Sequence, residues 1–344
     1  MEKLRTSMDR RDFLKQTVGA GLAAAVTAAS GSSFGAEASG LPRRVLGKTG
    51  VPVSVLVFGG GSHFLGRVGG DEAVVEQLIH RARELGINYF DTAATYTYPP
   101  HERLSETYYG RILEPYRDEI FLSTKARERG GDGMLRSVET SLRLLRTDHI
   151  DLMQMHSLQR LEELDEIEGP DGALAALQRL KEEGVVRFIG ITGHYNPEVL
   201  REAVRRLDVD TLLVSLNAAQ ASHPISMTPG EPLSAFEHEV LPAAVEKNLG
   251  VVAMKVMGQR ILLDADEKGE ARATPEELIR YVLSLPVAAA EISYTSLPIL
   301  EQNVAAARNF RPMSEDEMAA LRKRLVGKTA AWARFLRHHE DDVA

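Results

Sequence analysis

The stretch EIFLSTKARERGGDGMLRSVETSLRLLRTDHIDLMQMH, residues 119–156, places two short apolar runs on either side of an amphipathic pattern. The runs EIFLSTK (119–125) and HIDLMQMH (149–156) have the length and apolarity of strands buried on both faces. Between them, residues 133–146 repeat apolar side chains every three to four positions, which is typical of a helix. The stretch therefore predicts a strand–helix–strand unit with parallel strands.

The same alternation extends in both directions along the chain. Apolar runs that predict six further strands lie at 53–59, 87–93, 186–192, 211–217, 250–256 and 288–294. Helical patterns separate them, several opening with a capping residue or a proline. Eight strand–helix pairs predict a (β/α)8 TIM barrel. An open doubly wound sheet would instead favour a Gly-x-Gly-x-x-Gly turn after the first strand, where this chain has GGGS (59–62).

The barrel domain is expected over residues 39–310, with an additional segment at each end. The string RRVLGKTGVP (43–52) predicts a small β-hairpin that plugs the bottom of the barrel. Residues 311–344 predict a polar C-terminal helical extension.

Residues 1–38 differ in kind from the rest. The pair Arg10-Arg11 lies in DRRDFLKQ, an Ala/Gly-rich stretch follows at 17–30, and AEA (36–38) resembles a small-residue cleavage site. This pattern is similar to a twin-arginine (Tat) export signal, which implies the Tat translocase as a partner and a periplasmic or extracellular protein. The alternative is a disordered tail with a chance arginine pair. The apolar stretch is too short and too rich in small residues for a stable membrane span.

The composition excludes several classes of function. The formal net charge is -8 and no basic block is present, so nucleic acid is not an expected partner. The chain has no cysteine, which excludes structural disulfides, thiolate nucleophiles and clusters held by cysteine. The histidines show no compact ligand spacing, so no metal site is expected.

Four chemically active residues follow successive strands. Asp91, Tyr96, Lys125 and His156 end, or lie just beyond, the second, third and fourth predicted strands. In a TIM barrel these strand ends meet on the face that carries catalysis. A free tyrosine has a pKa of about 10, and a nearby ammonium group favours the phenolate. Each residue alone is more often structural, but the combination predicts a proton-transfer site.

These strings, taken together, resemble the aldo-keto reductase superfamily. The matching strings are RRVLGKTGVPVSVLVFGGG, INYFDTAATY, LSETYYGRIL, FLSTK, SVETSLRLLRTDHIDLMQMH, LQRLKEEGVVRFIGIT and LEQN. The resemblance implies a barrel that binds NADP(H) or NAD(H) and interconverts a carbonyl and an alcohol. It also implies Tyr96 as the general acid, Lys125 and Asp91 as its activating pair, and His156 as the residue that orients the carbonyl.

The resemblance further implies a set of cofactor contacts, some of which are altered here. The family's Ser-Asn pair is Thr192-Gly193, its glutamine falls on Leu213, and its 2′-phosphate-binding residues fall on Ser293 and Ile299. We expect NADP(H), with NAD(H) as the alternative. The expected cofactor contacts are Gly60, Gly61, Asp91, Thr192, Asn217, Met254, Lys255, Met257, Gly258, Ser296, Gln302 and Asn303.

The expected function is an exported NAD(P)-dependent reductase of a small carbonyl or sugar-like substrate. The loops 157–170 and 218–232 are expected to overhang the barrel mouth, with candidate lining residues Tyr98, His101, Tyr195 and His223. One alternative is a non-catalytic cofactor-binding or regulatory barrel. Another is a sugar isomerase or hydrolase, which would act without a cofactor and need a pair of catalytic carboxylates.

Overall fold

The structure, a computed structural model, describes residues 40–194, 196–219, 236–263 and 272–338. Eight parallel strands close into a barrel in the order β10-β3-β4-β5-β6-β7-β8-β9. This confirms the predicted TIM barrel. The barrel strands are β3 (Leu56–Gly59), β4 (Tyr89–Asp91), β5 (Phe121–Ala126), β6 (Ile150–Met155), β7 (Val186–Gly193), β8 (Thr211–Ser215), β9 (Gly250–Met254) and β10 (Ala289–Ile292).

Helices cover the outside of the barrel and follow the predicted periodic segments. Within the described residues, no helix is both long and apolar enough to cross a membrane. The α-helices are α1 (Ser62–Arg67), α2 (Glu72–Glu84), α3 (Leu104–Leu113), α4 (Gly131–Leu145), α5 (Glu162–Glu168), α6 (Ala173–Glu182), α7 (Pro197–Arg206), α8 (Leu241–Glu246), α9 (Pro275–Ser284), α10 (Leu297–Arg308), α11 (Glu315–Leu325) and α12 (Thr329–His338).

A hairpin of β1 (Arg43–Val45) and β2 (Pro52–Ser54) closes the N-terminal end of the barrel. Its Leu46 and Val53 are fully buried among side chains of the barrel interior. The single strand predicted over 53–59 is therefore wrong: these residues form the last two residues of β2, a bend at Val55 and the whole of β3. β2 ends at Ser54, whose backbone N–H donates to the Asn88 side chain at 2.7 Å and whose hydroxyl donates to the Leu56 carbonyl at 2.6 Å.

The barrel interior changes from apolar to polar along its axis. At the N-terminal end, inward side chains form one hydrophobic cluster with the hairpin, including Tyr89, Phe121, Leu152, Leu213 and Ala289. Side chains alternate along a strand, so positions two residues apart face the same side. Two residues further on, the same strands present Asp91, Ser123, Gln154, Ser215 and Glu291. On each of these five strands, moving two residues along the sequence therefore takes the inward-facing side chain from the apolar end to the polar end of the barrel.

The C-terminal extension forms two helices, α11 and α12, that pack into the main hydrophobic core. Met318, Leu321 and Trp332 are buried in that core, so the extension is less polar than its sequence suggested. Arg324 on α11 pairs with Glu277 on α9 at 2.5 Å. The Thr329 hydroxyl donates to the Ala219 carbonyl at 3.2 Å.

We expect Trp332→Ala to lower the free energy of unfolding by about 3–5 kcal/mol, because it empties a fully buried aromatic site. Val326→Ala, at a position 45% exposed, should change it by less than about 0.5 kcal/mol. Urea denaturation of both variants measures the difference. Equal, small effects would mean that the extension does not contribute to the core.

Candidate active site

A buried ion pair lies at the centre of the polar end of the barrel. The Lys125 ammonium donates to Oδ2 of Asp91, and both residues are almost wholly inaccessible to solvent. The remaining oxygen of Asp91 accepts from the Ser123 hydroxyl and, at 3.1 Å, from the Gln154 amide. Burial is the largest single influence on the pKa of Lys125 and lowers it, but the surrounding acidic groups, with Asp91 contributing most, together raise the pKa above its usual value. Lys125 is therefore a cation in the folded protein.

Tyr96 makes the second contact with the Lys125 ammonium group. The Lys125 Nζ lies 3.1 Å from the Tyr96 hydroxyl oxygen and 4.7 Å from the centre of its ring. A third Nζ contact, to the Thr92 carbonyl at 3.0 Å, fixes the ammonium between strand end and loop. A fixed positive charge at hydrogen-bond distance stabilises a phenolate relative to a phenol. The arrangement suits Tyr96 to giving and taking a proton.

His156 lies beside Tyr96 at the end of β6. Its ring meets the Tyr96 ring edge-on, with ring centres 5.8 Å apart. Its Nδ1 is 3.4 Å from the Thr95 hydroxyl. The backbone after His156 is held by Arg129, whose guanidinium donates to the carbonyls of His156 at 2.8 Å and Ser157 at 3.1 Å. All four predicted proton-transfer residues therefore converge at one end of the barrel.

Three residues that were not predicted from the sequence support this cluster. Ser123 and Gln154 bind Asp91, and Arg129 anchors the turn at Ser157, which has a left-handed φ of 54°. The signal for the first two was present in the sequence, since Ser123 precedes Lys125, and Gln154 precedes His156, by one two-residue strand repeat. No such periodic signal marks Arg129, which lies in the loop after β5.

Glu291 is a second carboxyl group beside the ion pair, and it was also missed. Its carboxyl group is close enough to that of Asp91 for the two groups to interact directly. Burial, followed by the negative charge of Asp91, raises the pKa of Glu291 to about 8, although Lys125 and Lys255 act in the opposite direction. The Oε2 atom is buried without a hydrogen-bond partner among the described residues. Glu291 follows the inward-facing Ala289 by two residues, as Asp91 follows Tyr89, so strand alternation predicts that Glu291 also faces inward.

A cleft of about 370 Å³ opens over the cluster and extends toward α10. Tyr96, Lys125 and His156 form part of its wall. Of the expected cofactor contacts, those that line the cleft are Gly61, Thr192, Met254, Lys255, Met257, Gln302 and Asn303. Asp91 lies beneath the wall rather than in it, because Lys125 covers it.

Four other expected cofactor contacts instead take part in packing, hydrogen bonding, backbone conformation or helix capping. A Cβ on Gly60 would lie 2.5 Å from the Ser105 hydroxyl, so this glycine permits close packing of α3. The Asn217 amide donates to the Lys255 carbonyl at 3.2 Å, and its oxygen accepts from the Ala219 N–H. Gly258 has a φ of +53°, and Ser296 is the N-cap of α10. These four are not among the described residues that line the cleft.

The residues present in the cleft fit a dinucleotide. At its far end, Oδ1 of the buried Asn303 has no hydrogen-bond partner among the described residues, so an acceptor is available there. Near its middle, Lys255, Gln259 and Arg260 all have positive φ values, between 51° and 76°. Left-handed non-glycine residues concentrate at binding sites, where the strained backbone presents its N–H groups. The site thus offers polar contacts at one end and cationic groups for phosphates in the middle.

The remaining candidates lie away from the cleft or outside the described residues. Tyr98 and His101 form a short backbone bridge with each other and do not line the cleft. Tyr195, His223 and nearly all of the 218–232 loop fall outside the described residues. Among the described residues, no group of three or more His, Asp or Glu side chains is arranged to hold a metal ion.

Comparison with known sequences identifies this arrangement. The profile of the Aldo/keto reductase family matches residues 55–278. The chain belongs to the aldo/keto reductase family. The match includes all four residues of the proton-transfer cluster, and it makes the chain an NAD(P)-dependent oxidoreductase.

Individual relatives agree with this membership. The chain is 27% identical over 308 residues to L-galactose dehydrogenase of Arabidopsis thaliana, covering 80% of this chain and 90% of that protein. It is 28% identical over 236 residues to D-threo-aldose 1-dehydrogenase of a Pseudomonas species, covering 58% and 66%. The holo form of aldo-keto reductase AKR11C1 from Bacillus halodurans has a similar structure, with a TM-score of 0.65, 25% identity, and coverage of 83% of this chain and 96% of that one.

We expect Lys125→Met to destabilise the fold by about 3–5 kcal/mol at pH 7, because it leaves the Asp91 carboxylate buried and unpaired. An unpaired buried carboxyl has a raised folded-state pKa, so the loss should grow as the pH rises above about 4. Adding Asp91→Asn to Lys125→Met should recover part of the loss. Denaturant unfolding across pH measures both, and a double variant no more stable than the single one would contradict the assignment.

Proposed function

We propose that this aldo-keto reductase transfers hydride between a nicotinamide dinucleotide and a carbonyl or alcohol substrate, with Tyr96 as general acid and base. One observation carries the proposal: the buried Lys125 ammonium, fixed by Asp91, lies 3.1 Å from the Tyr96 hydroxyl at the wall of the cleft. When bound, the nicotinamide supplies or accepts the hydride. The proton is transferred by side chains of the protein.

In the direction of reduction, Tyr96 gives its hydroxyl proton to the substrate oxygen, and Lys125 stabilises the phenolate that remains. In the direction of oxidation, the phenolate takes the alcohol proton. His156 lies at the same wall, and a neutral imidazole whose Nδ1 accepts from Thr95 carries its proton on Nε2. That N–H donor stabilises the negative charge that develops on the substrate oxygen.

The charge of the cleft supports NADP(H) as the cofactor, with NAD(H) as the alternative. Arg67, Lys255 and Arg260 line it, whereas Glu291 is the acidic residue among the described lining residues. Cationic side chains match the pyrophosphate and an additional 2′-phosphate. Gln302 and Asn303, at the far end of the cleft on α10, would hold the adenine end of the cofactor, and Lys255 would hold the pyrophosphate.

A sugar-like substrate agrees with the relatives and with the polar walls near Tyr96. The two curated dehydrogenases described above act, by their names, on L-galactose and on a D-threo-aldose. In this chain His63, Thr192 and His194 line the cleft together with His156. These side chains offer hydrogen bonds to a substrate with several hydroxyl groups.

A cofactor-independent sugar hydrolase does not fit the geometry. The carboxyl pair at the described cleft, Asp91 and Glu291, consists of two groups in direct interaction with each other. Glycosidases separate their two carboxyl groups by about 5 Å or more to flank the scissile bond. Asp91 is moreover engaged by Lys125, Ser123 and Gln154.

We expect Tyr96→Phe to lower kcat for reduction of small aldehydes at least about 100-fold, because the general acid is removed while the ring is kept. Binding of NADPH, followed by fluorescence titration, should change little. Tyr116→Phe is the matched control, since that ring contacts Arg83 on the outside of the barrel. Retained turnover in Tyr96→Phe would reject the proposed role, and dinucleotide binding without any turnover in the unaltered protein would favour the non-catalytic alternative.

We also propose that the protein is exported by the Tat translocase to the periplasm or beyond, with its cofactor already bound. The support is the Arg10-Arg11 pair in DRRDFLKQ on a nicotinamide-dependent barrel. A folded protein can carry a ligand through export, whereas free dinucleotide is expected to be scarce outside the cytoplasm.

We expect the double substitution Arg10→Lys with Arg11→Lys to retain the protein in the cytoplasm, because it keeps the charge and removes the arginine pair. Cell fractionation measures the location. Mass spectrometry of the unaltered protein from the periplasmic fraction should identify NADP or NAD. Unchanged location of the variant would reject Tat export, and periplasmic protein without dinucleotide would reject loading before export.

A further inference from the structure

Glu291 occupies a prepared position next to the proton-transfer cluster. It lies on β10, which pairs with β3, and Gly59 at the end of β3 pairs with Asp91 on β4. A Cβ on Gly59 would lie 2.7 Å from Oε1 and 3.0 Å from Cγ of Glu291. The absence of a side chain at Gly59 therefore lets Glu291 pass over β3 and reach Asp91, two strands away.

The hydrogen bonds show which of the two carboxyl groups carries a proton. Asp91 accepts from Lys125, Ser123 and Gln154, so three side-chain donors are directed at Asp91. Glu291 has a buried Oε2 with no hydrogen-bond partner among the described residues. Two ionised carboxylates in contact repel each other strongly, and a hydrogen bond between them needs one proton. Asp91 is thus the carboxylate and Glu291 the carboxylic acid.

We propose that Glu291 is a positioning residue for proton transfer: its protonated carboxyl group donates a hydrogen bond to Asp91, and loss of that proton opposes formation of the Tyr96 phenolate. The inference rests on the proposed role of Tyr96 and goes beyond it. With Glu291 neutral, the pair of Asp91 and Lys125 has no net charge, and Lys125 can stabilise the phenolate. With Glu291 ionised, the cluster gains one negative charge, which disfavours a second anion nearby.

The charged and titratable groups around Glu291 come from several strands and from the outer helices. Lys125 and Lys255 favour its ionised form, whereas Asp91 opposes it. The neutral phenols of three buried tyrosines complete the surroundings: Tyr89, Tyr109 and Tyr294. Because burial and Asp91 dominate, the change of charge falls near pH 8, where the pKa of Glu291 lies.

Infrared spectroscopy of the full chain tests the protonation directly. Unaltered protein at pH 6 should show a protonated-carboxyl band that Glu291→Gln removes and that titrates away near pH 8. Glu301→Gln, an exposed glutamate paired with Arg81, is the matched control and should leave the band unchanged. If Glu291→Gln removes no protonated-carboxyl band at pH 6, the inference is wrong.

Tyrosine labelled with ¹³C at Cζ tests the coupling to Tyr96, whose signal is assigned by its loss in Tyr96→Phe. We expect Glu291→Gln to lower the Tyr96 titration midpoint by at least about one pH unit. Coupling is reciprocal, so if Tyr96 ionises first, Tyr96→Phe should instead lower the Glu291 midpoint in the infrared titration. A purely structural Glu291 would move neither midpoint, and that result would overturn the inference.

Neither measurement needs substrate or cofactor. Failure of the proposed reductase activity is therefore distinguishable from failure of the Glu291 inference. A protein without turnover but with coupled midpoints would keep the inference and remove the reductase proposal. Turnover that depends on Tyr96, together with uncoupled midpoints, would keep the reductase proposal and reject the Glu291 inference.

Discussion

The ion pair of Asp91 and Lys125 is the interaction on which the rest of the site depends. Both charges are removed from water, and a single buried charge without its partner costs several kcal/mol. The pair therefore fixes how β4 and β5 must meet, with Asp91 opposite Ser123 and Lys125 one strand repeat further on. Three other polar groups of the site bind directly to this pair: Ser123 and Gln154 bind Asp91, and Tyr96 binds Lys125.

The barrel supplies the environment in which such a pair can act. The N-terminal half of its interior is a hydrophobic cluster that the hairpin residues Leu46 and Val53 close. One strand repeat above that cluster, the inward positions become polar and open to the cleft. Electrostatic effects between charges are stronger where water is excluded. The protonation of Glu291 is a consequence of this sharp boundary, whereas Lys125 keeps its charge there because Asp91 lies beside it.

Much of the fold was predictable because a periodic pattern needs no knowledge of distant residues. The helices and strands followed from apolar spacing, and Asp91, Tyr96, Lys125 and His156 followed from their places after successive strands. The hairpin boundary was not predictable, because the run 53–59 is apolar apart from Ser54 and Gly59, and it is a tertiary contact, that of Ser54 with Asn88, that accompanies the end of β2. The extension of α11 and α12 looked polar because its buried residues are a minority of its sequence.

The sequence by itself determined the barrel, the order of its strands and the identity of the four residues that meet at its polar end. Only the tertiary structure decided what surrounds them. Glu291 lies 200 residues from Asp91 along the chain, and closure of the barrel between β10 and β3, with Gly59 between them, brings their carboxyl groups together. Strand periodicity specifies which way a side chain points. It does not specify which side chain on another strand it will meet, because that depends on the register of strands joined through the closed sheet.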